Sequence, residues 1–233
     1  MRHIISFDGV SSEDFGLYVG FAGVENAPAR NIESIPIPGR NGALTIDNGY
    51  YENIEVAYQC VIRRDFERNM SAARAYYLSK KGYKRLTDTA RPDEYRLARY
   101  VAGLEVTPSQ MRQQGAFKLV FDCMPQRFLV SGDEQKEFTA DGELTNPTLY
   151  DAKPLIRVYG TGALGIGSTT VTISSNPGYI DIDCDMMDAY YGAVNCNSYI
   201  TLTQFPVLKP GDNGVTLGTG ITKVIITPKW WTI

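Results

Sequence analysis

The sequence predicts a mainly β protein, with one α-helix in its first half and an all-β sandwich in its second half. Three observations carry this prediction. Apolar and polar residues alternate along segments of the first half, one segment there has helical periodicity, and short apolar segments separated by Gly, Pro and Asn fill the second half. The 233 residues, 43% of them hydrophobic, suffice for two domains.

Three segments of the first half predict strands. In ENIEVAYQCVIRR and GAFKLVFDCMP every second residue is apolar, as in half-buried antiparallel strands. The predicted inward-facing residues are Ile54, Val56, Tyr58, Cys60 and Ile62 in the first segment and Phe117, Leu119, Phe121 and Cys123 in the second. PDEYRLARYVAGLEV (residues 92–106) alternates less regularly, and we expect Arg96 and Arg99 to lie outside.

One segment, DFERNMSAARAYYLSKKG, changes to helical periodicity. Its apolar residues recur at steps of three and four and form one stripe: Phe66, Met70, Ala73 and Tyr77. Asp65 or Asn69 suits the start of the helix, Lys80 and Lys81 suit its last turn, and Gly82 suits a left-handed stop.

The second half predicts a β-sandwich in a domain of its own. The predicted strands are Pro154–Tyr159, Thr169–Ser174, Tyr179–Cys184, Tyr199–Leu202, Gly214–Leu217 and Thr222–Thr227. Residues 131–148 are polar and read as a linker or a solvated edge strand. Residues 1–130 contain 17 of the 23 Lys and Arg residues but only 15 of the 26 Asp and Glu residues, so the net charge changes from positive in the first half to negative in the second. This shift predicts a boundary near residue 130, and neither half is basic enough for a nucleic-acid-binding protein.

Composition excludes most catalytic classes. The single histidine, His3, would have to serve every His-based triad, dyad or metal site. The four cysteines show no C-x-x-C spacing and predict free buried thiols, with a Cys184–Cys196 bridge as the alternative. No apolar run reaches the length of a membrane span, and the N-terminal apolar stretch is too short for a signal peptide. We therefore expect no catalytic residue, no cofactor and no metal.

Two motifs resemble ligand sites at first sight. Gly160, Gly162 and Gly165 match G-x-G-x-x-G, but a β-branched, alternating run follows where a phosphate-binding helix would have to begin. We interpret these glycines as a hairpin turn between strands. Residues 181–185 begin like a Ca²⁺ loop but lack its glycine and glutamate, so we interpret Asp181, Asp183 and Asp185 as solvated strand residues, with an adventitious cation as the alternative.

Two further features are candidate contact sites. Trp230 and Trp231 suit a core or a subunit contact, and alternatively a sugar-stacking platform or another partner contact. The segment SIPIPGRNG holds two prolines, which disfavour a central strand, and it suits an extended arm that packs on another subunit. A plain surface loop is the alternative. The candidate interface residues in this arm are Ile35, Ile37, Gly39, Arg40, Asn41 and Gly42.

Motifs along nearly the whole chain resemble a known family in their order. In the first half these are FDGVSSEDFGLYV, IPIPGRNGALTIDNGYYENIEVAYQC, TDTARPDEYRLARYVAGLEV and FDCMPQRFL. In the second they are NPTLYDAKPLIRVYGTG, YIDIDCDMMDAYYG and GITKVIITPKWW. Together they resemble the distal tail proteins (Dit) of long-tailed, non-contractile phages and prophages, and PGRNG and FDCMPQRF are the most distinctive.

The resemblance implies a fold and a role. It implies that residues 1–130 form a β-sandwich with one helix that assembles into a hexameric ring, and that residues 131–233 form a galectin-like β-sandwich whose last strand can return to the first domain. It also implies a non-enzymatic virion protein at the tail tip, assembled in the host cytoplasm. The implied partners are the tail tube protein, a tail-associated hub or lysin protein and receptor-binding proteins, and DNA would pass through the lumen without specific binding. The implied role involves no membrane.

Two other functions compete with this one. The acidic second half and its tryptophans also suit a carbohydrate-binding module for host attachment, although the sole histidine lies in the other domain from any galectin-type sugar site. A two-carboxylate glycosidase remains as a third hypothesis, because 26 acidic residues always permit some pair, although no spacing marks a particular one.

Overall fold

The chain folds as two units in the computed structural model, which describes residues 3–20, 27–103, 106–108 and 115–233. The first unit ends at Arg127 and the second spans Phe128–Thr232. The elements of the first unit are β1 Ile5–Phe7, β2 Val10–Ser11, β3 Leu17–Val19, β4 Arg30–Pro36, β5 Ala43–Tyr51, β6 Ile54–Ile62, α1 Phe66–Ser79, β7 Lys84–Asp88, β8 Arg91–Tyr100, β9 Val106–Pro108 and β10 Gly115–Leu129, whose last residues belong to the second unit.

The first unit is one curled sheet with the order β2-β1-β7-β8-β10-β6-β3, and β9 also pairs with β10. The longest ladder joins β6 and β10 in antiparallel register, from Gly115 opposite Ile62 to Cys123 opposite Ile54. The inward-facing residues predicted for both strands are buried, so this alternation is confirmed. The predicted third strand extends over residues 92–106, whereas β8 ends at Tyr100, and residues 104–105 lie outside the described residues.

The stripe predicted for the helix is confirmed, because Phe66, Met70, Ala73 and Tyr77 are the buried residues of α1. The predicted ends are different. Asp65 precedes the helix but makes no side-chain capping bond, and its backbone is left-handed. Lys80 lies beyond the last turn, where its Nζ bonds to the Asp8 carboxylate across 2.7 Å.

His3 brings the two ends of the curled sheet together. It forms an isolated antiparallel bridge to Val19 of β3, just before the chain enters β1. Its Nδ1 lies 3.0 Å from the Gly20 carbonyl, and its Nε2 contacts the Asp88 carboxylate. The Tyr58 hydroxyl donates to the same carboxylate across 3.0 Å. The only histidine therefore has a structural role at this seam.

The second unit is a sandwich of two antiparallel sheets. Its strands are β11 Lys136–Phe138, β12 Gly142–Asn146, β13 Leu155–Gly160, β14 Gly162–Ile166, β15 Thr169–Ile173, β16 Ile180–Asp183, β17 Asp188–Tyr191, β18 Val194–Asn195, β19 Ile200–Thr201, β20 Gly211–Leu217 and β21 Ile221–Thr227. A last strand, β22 Trp231–Thr232, belongs to neither sheet and pairs with β10. One sheet has the order β11-β21-β13-β16-β17-β18 and the other β12-β20-β14-β15-β19. The polar segment of residues 131–148 supplies an edge strand to each, β11 and β12.

The chain changes sheets at Gly160 and Gly162, which corrects the predicted hairpin. β13 belongs to the six-stranded sheet and β14 to the five-stranded one, so the two do not pair. β14 is a strand, so no helix N-terminus is present to bind a phosphate. Local sequence cannot distinguish a hairpin within one sheet from a crossing between two sheets, because both need glycine where the chain changes direction sharply.

A second crossing, between β20 and β21, packs directly against the first. The Thr161 N–H donates to the Gly220 carbonyl across 3.1 Å, and the Gly218 N–H donates to the Ala163 carbonyl across 2.8 Å. A Cβ added at Gly160 would lie 2.1 Å from the Gly220 carbonyl oxygen. The two crossings can approach this closely only because glycines meet there.

All four cysteines are free and buried. Burial raises the pKa of the Cys60, Cys123 and Cys184 thiols to about 12. The Cys196 thiol is also fully buried, and its Sγ donates to the Val194 carbonyl. The prediction of free thiols is therefore confirmed, and the alternative Cys184–Cys196 bridge is wrong.

Two core tyrosines should respond in opposite directions to loss of their hydroxyl. The Tyr77 hydroxyl is buried without a hydrogen-bond partner, so Tyr77→Phe should raise the free energy of unfolding by about 1 kcal/mol. Tyr58→Phe removes the bond to Asp88 and should lower it by about 1–2 kcal/mol. Urea unfolding measures both, and equal destabilisation by the two changes would contradict this assignment.

The glycine crossing can be tested with a matched pair of alanine substitutions. Gly160→Ala introduces a clash with backbone at a residue with φ +93°, and it should cost more than about 3 kcal/mol. Gly214→Ala, in β20 of the same unit, meets no atom within 4 Å and should change stability by less than about 1 kcal/mol. Thermal unfolding would refute the crossing if both variants melted like the wild type.

Candidate assembly surface

Strands β4 and β5 form a two-stranded ribbon that pairs with no other described strand. The antiparallel register places Ile35 opposite Leu44 and Glu33 opposite Ile46. Nearly every residue of both strands is exposed. An isolated pair of strands is marginally stable in water, so the ribbon needs contacts along its length that its own sequence does not provide.

One face of the ribbon is mainly aliphatic. Residues opposite each other across a ladder share a face, and so do residues two apart along a strand. This rule groups Ile35, Leu44 and Ile46 on one face, with Glu33 beside them, and Ile37 continues the aliphatic set beyond the end of β4. The exposed fractions of these four aliphatic residues are 44%, 49%, 40% and 37%. Four neighbouring aliphatic side chains with this exposure are typical of an interaction site.

The base of the ribbon is polar. The Arg30 guanidinium donates to the Asp47 carboxylate across 2.8 Å. The Asn48 amide donates to the Asn31 side chain, and the Asn31 amide donates to Glu52 across 2.8 Å. These bonds fix the register at the base, while the aliphatic face stays exposed in the described part of the chain.

The opposite face of the ribbon is mixed. The register pairs Ser34 with Thr45 on it, but it also places Ile32 opposite Asp47 and Pro36 opposite Ala43. Ile32 is 48% exposed, so apolar surface is present on both faces.

The tip of the ribbon is the turn Gly39-Arg40-Asn41-Gly42. Both glycines have positive φ, +77° and +86°, a conformation that side chains other than glycine rarely adopt. The Arg40 N–H donates to the Ile37 carbonyl across 3.2 Å, which closes the turn. All four residues are exposed, so the Arg40 guanidinium is presented at the end of an extended arm.

The candidate arm predicted from the sequence contains only half of the aliphatic face. Ile35 and Ile37 belong to the predicted set, whereas Leu44 and Ile46 do not. The signal for the missing half is present in ALTI, which follows Gly42 and alternates in the same way. The ladder shows what alternation alone could not, namely which residues of the two strands meet.

The two tryptophans occupy different environments. Trp230 is 4% exposed and belongs to the core of the second unit, so its ring has no face available for a sugar. Trp231 stacks on Tyr150 with the ring centroids 4.5 Å apart, and its indole N–H donates to the Asp151 carbonyl. A two-tryptophan platform is therefore not formed, and Trp231 remains the partly exposed member of the pair.

The three aspartates of residues 181–185 do not converge on a common point. Asp181 accepts two bonds from Arg157, at 2.7 and 2.8 Å, and Asp185 pairs with Lys153. Asp183 accepts the N–H groups of Asp185 and Met186. Asp181 is almost fully buried, so its interpretation as a solvated residue is wrong. No cluster of three or more His, Cys, Asp or Glu suited to a metal occurs among the described residues.

Within the described ranges, no helix is long and apolar enough to cross a membrane. Comparison by sequence gives no match, since neither a protein-family model nor any curated protein matches the chain.

Comparison by structure gives matches over nearly the whole chain. The Dit protein of phage SPP1, described as a paradigm of the hub adsorption apparatus of phages that infect Gram-positive bacteria, superposes with a TM-score of 0.76 at 14% identity, over 100% of both chains. A chain of the calcium-activated phage P2 baseplate matches with a TM-score of 0.54 at 10% identity, covering 97% of this chain and 96% of that one. The strontium form of the p2 baseplate gives 0.50 at 10% identity, covering 96% and 97%. The chain therefore has the fold of a phage distal tail protein.

The aliphatic face should contribute little to the stability of a single chain. Ile35→Thr and Leu44→Thr together keep at least moderate strand propensity and should change the free energy of unfolding by less than about 1 kcal/mol, because both side chains are half exposed. The control Val56→Thr buries a hydroxyl in the β6 core and should cost about 1–3 kcal/mol. Urea unfolding of dilute protein would contradict the assignment if the double variant lost as much stability as the control.

Proposed function

We propose that this protein is a structural component of a phage tail tip, in which copies of the chain form a ring between the tail tube and the hub of the adsorption apparatus. The observation that carries the proposal is the ribbon, an unpaired arm whose mainly aliphatic face is exposed in the described part of the chain. The shared fold with SPP1 Dit supports it. The ring would be hexameric, and DNA would pass through its lumen.

The ribbon is suited to a head-to-tail contact. It is a projecting element, and the surface that receives it on a neighbouring copy must be different from it. Repeated contacts between unlike surfaces close into a ring when the rotation between copies is right.

The charge of the chain supports a passive conduit for DNA. The formal net charge is −3, so the protein has no overall excess of cations to retain a phosphate backbone. A lumen that released DNA quickly would require weak binding of this kind. The proposal is therefore of a non-enzymatic protein located in the virion at the tail tip and assembled in the host cytoplasm.

The proposed partners follow from the position of such a ring. The tail tube protein would contact one side, and a tail-associated hub or lysin protein the other, with receptor-binding proteins farther out. We do not extend the proposal to carbohydrate binding, because burial of Trp230 removes the platform that motivated it.

Self-association of ribbon variants tests the proposal. Wild-type protein should form a closed oligomer, and Ile35→Thr with Leu44→Thr should weaken the association by at least about tenfold, because the variant removes apolar surface buried in the contact. Arg40→Glu should also weaken it without unfolding the chain. Thr45→Ser, on the opposite face of the same ribbon, should leave the association unchanged. Sedimentation velocity and native mass spectrometry measure the masses.

Two outcomes would contradict the proposal. One is a wild-type protein that stays monomeric at its highest soluble concentration, both alone and with a tail tube protein and a hub protein of the same phage. The other is an oligomer whose mass and dissociation constant are the same for the aliphatic-face variant and for Thr45→Ser.

A further inference from the structure

Two arginines lie on the inner side of the curled sheet of the first unit. Arg96 shares its face of β8 with the core residues Ala98 and Tyr100, and its ladder partner on β7 is the buried Leu86. The sequence-based expectation that Arg96 lies outside is therefore wrong. On β10, Arg127 continues the inward alternation of Cys123 and is only 7% exposed.

The hydrogen-bond donors of both guanidinium groups are largely unused. The Arg127 Nε has no hydrogen-bond partner among the described residues, and its Nη1 lies 3.7 Å from the Glu94 Oε2, beyond hydrogen-bond range. The Arg96 Nη1 donates to the Pro125 carbonyl across a long 3.4 Å. Buried charged groups are usually paired and hydrogen-bonded, because an unmet donor loses its solvation without compensation.

The nearby carboxylates are shared or already hydrogen-bonded. Glu94 Oε2 lies 3.7 Å from Arg127 and 3.6 Å from Arg91, so one carboxylate stands between two cations, and this oxygen has no hydrogen-bond partner among the described residues. Asp88 accepts from Tyr58 and from the Ala90 N–H and also contacts His3. Asp122 pairs with Arg99.

Cations are thus in excess here, and Arg96 is affected by that excess. Burial, and after it the neighbouring Arg127, lowers the pKa of the Arg96 guanidinium. Arg96 therefore keeps its charge at a cost, and a negative group from outside the chain would reduce that cost.

We infer that Arg96 and Arg127 form a binding site for one oxyanion, either a carboxylate or a phosphate group. A guanidinium presents its N–H groups in a planar fork that matches both groups, and two guanidiniums together can surround one oxyanion. The same chemistry is available from a free phosphate ion or from an acidic side chain of a neighbouring protein. The site does not depend on the proposed ring, because its residues all lie in the first unit and away from the ribbon strands.

Titration with inorganic phosphate tests the site directly. Wild-type protein should bind phosphate with saturation by calorimetry, and its melting temperature should rise with phosphate relative to chloride at equal ionic strength. Arg96→Met and Arg127→Met should each weaken binding by at least about tenfold. Arg99→Met is the matched control, since Arg99 lies on the same strand but is paired with Asp122, and it should bind like the wild type.

A second experiment, an assembly assay, shows whether the bound oxyanion is a carboxylate of a neighbouring protein. In that case phosphate binding does not reach saturation. Arg96→Met and Arg127→Met then abolish assembly with a second copy or a tail protein, and Arg99→Met preserves it. Arg96→Lys keeps one charge and serves as the folded comparison if a methionine variant fails to fold. The inference is overturned if phosphate binding and assembly are the same in the Arg96, Arg127 and Arg99 variants. Ribbon variants should keep phosphate binding, so a failed ring and a failed site give different results.

Discussion

A pair of β-strands that leaves the body of its domain must be stabilised by a surface outside itself, and this constraint governs the interpretation of the molecule. The ribbon of β4 and β5 has a base fixed by hydrogen bonds and a mainly aliphatic face that is exposed among the described residues. Burying such a face gains about 25 cal/mol for each Å² removed from water. The aliphatic face gains this free energy only when another surface covers it. The local fold of the ribbon is linked to assembly in this way.

The rest of the chain largely satisfies its own polar groups. In the second unit the buried Asn213 amide donates to the carbonyls of Lys209 and Gly211, and Arg157 neutralises the buried Asp181 with two bonds. In the first unit the His3, Asp88 and Tyr58 side chains join the ends of the curled sheet. Four buried side-chain atoms among the described residues have no hydrogen-bond partner, and the Arg127 Nε is the one that belongs to a cation.

Features set by local periodicity could be predicted from the sequence, and features set by long-range pairing could not. Alternation identified the inward residues of β6 and β10, and a three-to-four-residue step identified the buried stripe of α1. The glycines at 160 and 162 were placed in a hairpin because sequence does not show which sheet β14 joins. Likewise Arg96 was placed outside, because the pattern of a strand does not reveal that an arginine can occupy an inward position. The sequence identifies Ile35 and Ile37 as contact candidates but not Leu44 and Ile46, because the register between β4 and β5 decides that these residues share a face.

The enclosure of all four thiols has a practical consequence for following this protein in solution. Maleimide dyes react with thiolates that solvent can reach, and all four native cysteine thiols are buried in the folded chain. A cysteine introduced at the exposed Asn41 would thus be the single attachment point for a fluorophore. Energy transfer between dyes carried there would report the spacing of neighbouring arms without removal of any native cysteine.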